Sequence, residues 1–242
     1  MREHCANVLT GGWKVASSDV FEDRIEIPCF RSLADFRAWA SSDDFPEQGR
    51  IDYIRGRIEV DMSPENVFFH GSVKTEVIVE LGNILKSTGT GHLFSDRMRV
   101  SCPDADLSAE PDVVYVSDDA LDSGRVRLVQ SATGEPDSYV ELEGAPDLVV
   151  EIVSDSSVAK DTQRLPLSYW QAGVTEYWLV DVRGERLSFR IYARGATSYE
   201  PVTTDHEGFQ RSAVFDRRFR LDRRRNARER LVFDLQSRQC DL

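Results

Sequence analysis

Pro146–Asp181 constrains the fold more than any other part of the chain. Two apolar runs, Leu148-Val-Val-Glu-Ile-Val153 and Glu176-Tyr-Trp-Leu-Val-Asp181, flank a polar link that ends in Tyr169-Trp-Gln-Ala-Gly173. Runs of this length and β-type composition read as buried strands, and the link as a helix stopped by Gly173. Glu151 interrupts the first run. A carboxylate set among Leu148, Val149, Val150, Ile152 and Val153 is costly to bury unless a metal, a cation or several donors meet it.

The rest of the chain is built to bury a core. With 242 residues, 40% of them hydrophobic, it is long enough for one large domain or two small ones. Acidic residues outnumber basic ones by 42 to 30, for a formal charge of -12. That balance argues against diffuse attraction to nucleic acid over the whole surface, while leaving room for a local basic groove. Cys5, Cys29, Cys102 and Cys240 show no Cys-x-x-Cys spacing, so free thiols are expected rather than a zinc knuckle or a disulfide framework. No signal-peptide core and no membrane-length run is present, and a soluble, cytoplasmic protein is the expectation.

Residues 1–28 are weakly patterned and read as an arm on the domain; 29–196 read as the core, and 197–242 as a β-rich, basic extension packed on it. Leu33, Phe36 and Trp39 follow Ser32 at helical intervals. Arg50–Met62 predicts a hairpin around Arg55-Gly56-Arg57. Phe69, Val73, Val77, Leu81 and Ile84 keep a helical period within 66–87. One strand is predicted over Leu93–Val100, an acidic loop over Cys102–Ala109, and a strand over Pro111–Val116. Ser117–Gly144 is predicted to be mostly loop, with one strand at Val126–Val129. Leu187–Tyr192 alternates as a half-buried strand, with further strands at Tyr199–Val202, Phe209–Ser212 and Phe219–Leu221.

Asp112 opens an apolar strand as Glu151 interrupts one. If the two strands are neighbours, the carboxylates can converge on a hard divalent cation, for which oxygen ligands are the natural choice. An acid at a strand start also serves as an ordinary turn or cap residue. Asp161 is placed to cap the following helix. Tyr169, Trp170, Tyr177 and Trp178 read as packing residues, and Arg217–Arg230 as either a phosphate-binding strip or an ion-paired face.

Pro111-Asp112, Glu151-Ile-Val-Ser154, Asp161, Tyr169, Ala172-Gly173-Val174 and Glu176–Asp181 together resemble the Uma family of restriction endonucleases, within the PD-(D/E)XK nuclease-like superfamily. Upstream, Tyr53–Glu59 and Ser63-Pro64 through His70 resemble the family's hairpin and first core helix, so the likeness covers roughly Leu33 to Arg194. The resemblance implies an α/β, restriction-endonuclease-like fold: a mixed central β-sheet flanked by helices, here with an N-terminal hairpin and a C-terminal β-rich extension. It implies Asp112 and Glu151 as ligands of Mg²⁺ or Mn²⁺, with His70 near the acidic cluster, DNA as substrate and a homodimer as the working form.

The superfamily lysine two residues after the glutamate is Val153 here, and the position four before the tyrosine, used in the Uma family, is Leu165. Lys160, in the loop before the helix, and Arg164, in its first turn, are the nearest cations to Glu151. Arginine can clamp a phosphate without serving as a base. The expected function is metal-dependent hydrolysis of DNA phosphodiester bonds; the alternative is a catalytically inactive nuclease fold that binds DNA or a protein partner.

Overall fold

Ser32 accepts the Asp35 amide with its side chain and starts helix α1 (Leu33–Ala40), which buries Leu33, Phe36 and Trp39 as the spacing predicts. The structure is a computed structural model describing residues 25–132 and 134–240, so most of the expected N-terminal arm lies outside the described residues. Strands β1 (Arg50–Ile54) and β2 (Arg57–Asp61) form the predicted hairpin. Its two turn residues, Arg55 and Gly56, have φ of 52° and 79°, the conformation a two-residue type I′ turn needs. Asn66 accepts the Phe68 and Phe69 amides and opens a π-helical turn (Val67–Ser72) that runs into α2 (Val73–Thr88).

The segment predicted as one strand over Leu93–Val100 is two, β3 (Gly91–Ser95) and β4 (Arg99–Cys102), in different sheets. Asp96 and Arg97 between them both take positive φ, which turns the chain where apolar patterning alone shows no break. The acidic loop closes on a short strand, β5 (Leu107–Ala109), ahead of β6 (Val113–Ser117). Ser117–Gly144 holds more structure than predicted: helix α3 (Asp118–Asp122) and strands β7 (Val126–Gln130) and β8 (Tyr139–Gly144). Then come β9 (Leu148–Ile152), a π-helical turn (Lys160–Arg164) continuous with α4 (Leu165–Ala172), and β10 (Glu176–Asp181). The chain ends through β11 (Ser188–Arg194), β12 (Tyr199–Pro201), β13 (Gln210–Ser212), β14 (Arg217–Arg225) and β15 (Leu231–Gln239).

The expected mixed central sheet is six-stranded, in the order β12-β11-β10-β9-β6-β3, with β9 and β10 parallel across the α4 crossover. A second six-stranded mixed sheet, β2-β1-β5-β4-β8-β7, accompanies it, and β13-β14-β15 make a third. Strand parity sorts the layers. Val113, Tyr115, Leu148, Val150, Ile152, Trp178 and Val180 pack with α2 and with Phe219, Leu221, Phe233 and Leu235 of the C-terminal hairpin. On the opposite face, Val114, Val116, Val149 and Tyr177 pack with α4 and with Ile54, Val100 and Leu107 of the second sheet. Helix α1 covers the far side of that sheet over Ile51 and Tyr53.

Glu176, at the start of β10, fixes the C-terminal segment to the core. Its buried carboxylate accepts the Trp178 indole N–H, the Ser212 hydroxyl and the Ala213 and Val214 amides, the multiple donors a buried carboxylate requires. Cys29, Cys102 and Cys240 are free thiols, and Cys5 lies outside the described residues. Among the described residues no helix is long and apolar enough to cross a membrane.

Candidate active site

Strands β6 and β9 pair antiparallel with Val113 opposite Val150. Continuing that register by one residue sets Asp112 opposite Glu151. Directly opposed residues put their side chains on one face with Cβ atoms about 4.5–5.5 Å apart, and parity with Val114 and Val149 turns both acids toward the second sheet. Both side chains are 1% exposed. Neighbouring strands thus bring the two acids to one face of the central sheet.

The two acids have opposite surroundings. Asp112 Oδ2 accepts the Ile152 amide at 2.7 Å, and Oδ1 accepts from Arg50 at 2.9 Å, with His70 Nε2 at 3.4 Å and Lys74 Nζ at 3.6 Å. Burial opposes its charge, but Arg50, His70 and Lys74 outweigh that and hold the carboxyl well below the usual carboxylate range. Glu151 Oε1 accepts the Tyr169 hydroxyl at 3.1 Å, while Oε2 is buried with no hydrogen-bond partner among the described residues. Burial, then the negative charges of Asp161 and Asp112, push Glu151 well above its usual range against the pull of Lys160 and Arg50.

Asp161, 1% exposed, likewise keeps a partnerless buried oxygen, Oδ1. Its other oxygen accepts the Ser157 hydroxyl, and burial pushes it up to about 7 despite Lys160. It does not cap the helix: the turn that precedes α4 starts at Ala159 with no side-chain cap.

Lys160 sits inside that π-helical turn rather than in a loop. It is 5% exposed, and its Nζ donates to Asp52 Oδ2 at 2.9 Å. Burial would lower its pKa, but Asp52 and Glu151 hold it above the ordinary amine range, so it is a fixed positive charge beside both acids. Arg164 turns to the rim, where it meets both oxygens of Glu59 at 2.8 and 3.1 Å. In the hairpin Glu59 lies opposite Asp52, so both turn to the face that meets Lys160 and Arg164. Val153 and Leu165, at the two lysine positions, are 1% and 0% exposed and belong to the apolar packing.

His70 is 5% exposed. Its Nδ1 lies 3.3 Å from Glu65 Oε2, and one ligand atom each from Glu65, His70 and Asp112 lies within 4.8 Å of the others. Arg50, Glu65, His70, Glu110 and Ser154 are among the residues lining an open cleft of ≈ 390 Å³.

Arg50, Asp52, Glu65 and Lys74 are the site residues that the sequence reading missed. The signal for Asp52 was available, because it lies between Ile51 and Tyr53 as Glu151 lies between Val150 and Ile152. Tyr169 was read as packing; it is fully buried, yet its hydroxyl is a donor to the central glutamate.

In fold the chain is similar to a nuclease from Anabaena variabilis ATCC 29413, described as a "putative nuclease belonging to DUF820". The TM-score is 0.56 at 19% identity, over 76% of this chain and 90% of that one. The architecture is thus that of a nuclease-like α/β protein. The chain belongs to the Uma2 family, described as "Putative restriction endonuclease", whose model matches residues 33–224. That match runs past Arg194, where the sequence resemblance stops, and takes in most of β14, placing arginines that had been read as outside the family within it. No curated protein matches the chain in sequence.

Proposed function

We propose that this protein is a divalent-metal-dependent endonuclease that hydrolyses DNA phosphodiester bonds. One observation carries the reading: Glu151 faces Asp112 across a strand pair and keeps Oε2 buried without a donor. A buried, unsatisfied carboxylate oxygen costs about 1–3 kcal/mol or more. A hard cation between two carboxylates removes that cost, and an all-oxygen donor pair suits Mg²⁺ or Mn²⁺. The residues present therefore fit the metal the family implies.

Asp112 and Glu151 would hold the ion, which when bound lowers the pKa of a coordinated water and neutralises charge on a phosphoryl oxygen. The protein's own contributions are positional. The Ile152 amide and Arg50 fix Asp112, and Tyr169 orients Glu151. Lys160, immobilised by Asp52, supplies the positive charge that Val153 and Leu165 cannot. Cutting both strands of a duplex would call for two copies of the chain, in keeping with the homodimer the family likeness suggests.

A binding module without catalysis is the rival, favoured by the two apolar residues at the lysine positions. Nicking of supercoiled plasmid with Mg²⁺ or Mn²⁺ separates the two. Cleavage by the wild type, lost in Asp112→Ala and in Glu151→Ala, supports the nuclease. Absence of cleavage at high protein, with metal binding intact by calorimetry, sinks it.

A further inference from the structure

The cleft does not end at His70. Glu65, His70, Ser154 and Ser156 also line an adjoining trough of ≈ 480 Å³. Phe69 and Arg183 carry that trough into a third depression, of ≈ 690 Å³, beside Arg223, Arg224 and Arg225. The three join into one groove that leads from the candidate centre to the turn between β14 and β15. Charge changes sign along it. Around the cleft, Glu47, Asp61, Glu65, Asp96 and Glu110 stand against Arg50 and Arg97. At the far end four arginines stand against one acid, Glu185.

The arginines of β14 divide by what they meet. Arg218 pairs with Asp205, and Arg220 with Asp222. Arg223 is held by the carbonyls of Val182, Gly184 and Glu185, and Arg225 by that of Glu229. Arg224 has no hydrogen-bond or ion-pair partner among the described residues. A carbonyl satisfies an N–H group without cancelling the charge behind it, so three consecutive arginines keep theirs in a chain of formal charge -12. Arg223 pins a turn, whereas Arg224 and Arg225 are exposed and reach outward. An acidic cleft repels a polyanion, and a basic hold beside it supplies the attraction that the cleft lacks.

We infer that this groove seats the DNA backbone outside the cleft: the strand leaving the centre passes Phe69 and Arg183 and is held by phosphate contacts to Arg224 and Arg225. Guanidinium groups match phosphate oxygens two at a time, which suits them to that hold. The arginine run is thus split between two tasks, ion pairing at Arg218 and Arg220 and phosphate binding at Arg224 and Arg225. The inference rests on DNA as the substrate of the proposed nuclease, but its test needs no cleavage.

The test is the salt dependence of duplex DNA binding by the full chain, in a chelating buffer where no metal-dependent cleavage runs. Each phosphate contact contributes about 0.9 to the slope of log affinity against log salt. Arg224→Gln combined with Arg225→Gln should therefore lower the slope by about two. Arg190→Gln, at an exposed arginine of β11 that lines no part of the groove, should leave it unchanged. Asp155 provides a change of opposite sign. It is 96% exposed, lines the trough and pairs with Arg183, so Asp155→Asn should raise the slope by up to about one. Asp216, paired with Arg211 outside the groove, is the matched control, and Asp216→Asn should bind as wild type. All of these positions are exposed, and circular dichroism checks that each variant is folded. An unchanged slope in the double arginine variant or in Asp155→Asn, or equal shifts in the controls, overturns the groove. Nicking of plasmid alongside such a result would leave the endonuclease reading in place. The expected slopes in a protein that nicks nothing would keep the groove and remove the nuclease.

Discussion

Asp112 and Glu151 face each other across one strand pair, yet protein charges hold the first as an anion and burial drives the second toward its neutral form. Paired carboxylates pushed apart in this way are a recurring signature of catalytic centres. Substitution should therefore act with opposite signs. Asp112→Asn strips Arg50, His70 and Lys74 of a buried counter-charge and should cost about 3–5 kcal/mol of stability. Glu151→Gln removes a carboxylate with a partnerless oxygen and should stabilise the metal-free protein by about 1–3 kcal/mol. Urea titrations of both variants in a chelating buffer check the pair of signs; destabilisation by both would mean that Glu151 is satisfied.

The same asymmetry fixes a pH dependence. Glu151 and Asp161 bind protons more tightly folded than unfolded, so each contributes stability that falls as pH rises from about 4, the unfolded carboxylate value, toward the folded value, about 7 for Asp161. Asp112 has the reverse sign, and its contribution fades only in strong acid. The difference in melting temperature between Glu151→Gln and wild type should accordingly widen from pH 4 to pH 7 without metal and narrow when Mg²⁺ is added. A difference that stays flat with pH would contradict the assigned environment.

Tyr169→Phe deletes the donor to Glu151 Oε1 and keeps the ring that packs against Tyr177. Outer partners of metal ligands typically contribute 10–100-fold to affinity. Mg²⁺ binding should weaken by about tenfold with the fold intact, read by calorimetry beside a circular dichroism spectrum. Unchanged affinity would demote Tyr169 to a packing residue.

Lys160 stands in for the absent lysine only if its charge is used. Lys160→Met should lower the nicking rate about 10²-fold or more, the effect of removing one preorganised donor, and Lys160→Arg should recover part of it. Rates are compared at equal folded fraction, because Lys160→Met also strands Asp52. Wild-type cleavage by the Met variant would leave the site without its cation.

Two arginines of β14 are committed within the molecule. Arg223 donates to the carbonyls of Val182, Gly184 and Glu185, and Arg220 to Glu207 and Gln236. Arg223→Gln should lower stability by about 1–2 kcal/mol and leave the slope of log affinity for DNA against log salt unchanged. A slope smaller by about one would instead identify a phosphate contact.

The strand–helix–strand unit, the hairpin and the long helix were legible because each rests on local periodicity or turn chemistry. So was the pair of acids, since a glutamate is rarely buried in mid-strand among apolar neighbours without a partner to meet its charge. What escaped depends on contacts between distant segments. The break at Asp96-Arg97 lies in two non-glycine residues at positive φ, which no apolar pattern reports. Strand β8 hides behind alternating glutamates, Glu141 and Glu143, whose partner Arg37 comes from α1. Arg50 and Lys74 carry no local mark of burial, and only the packing of the second sheet and α2 brings them to Asp112. The strand predicted over Phe219–Leu221 is the nine-residue β14, and its partner, β15, carries too mixed a sequence to stand out alone.

The acids of the cleft come from β1, from the edges of β6 and β9, and from the turn before α4, and they share a space only where one six-stranded sheet lies over the other. The two carboxylates belong to one sheet, and Asp52, which anchors the neighbouring Lys160, belongs to the other. Formation of the strands is therefore not enough to build the cleft, which exists only once the two sheets have docked. A chain whose sheets have not docked lacks Asp52 beside Lys160, and with it the arrangement proposed as the centre.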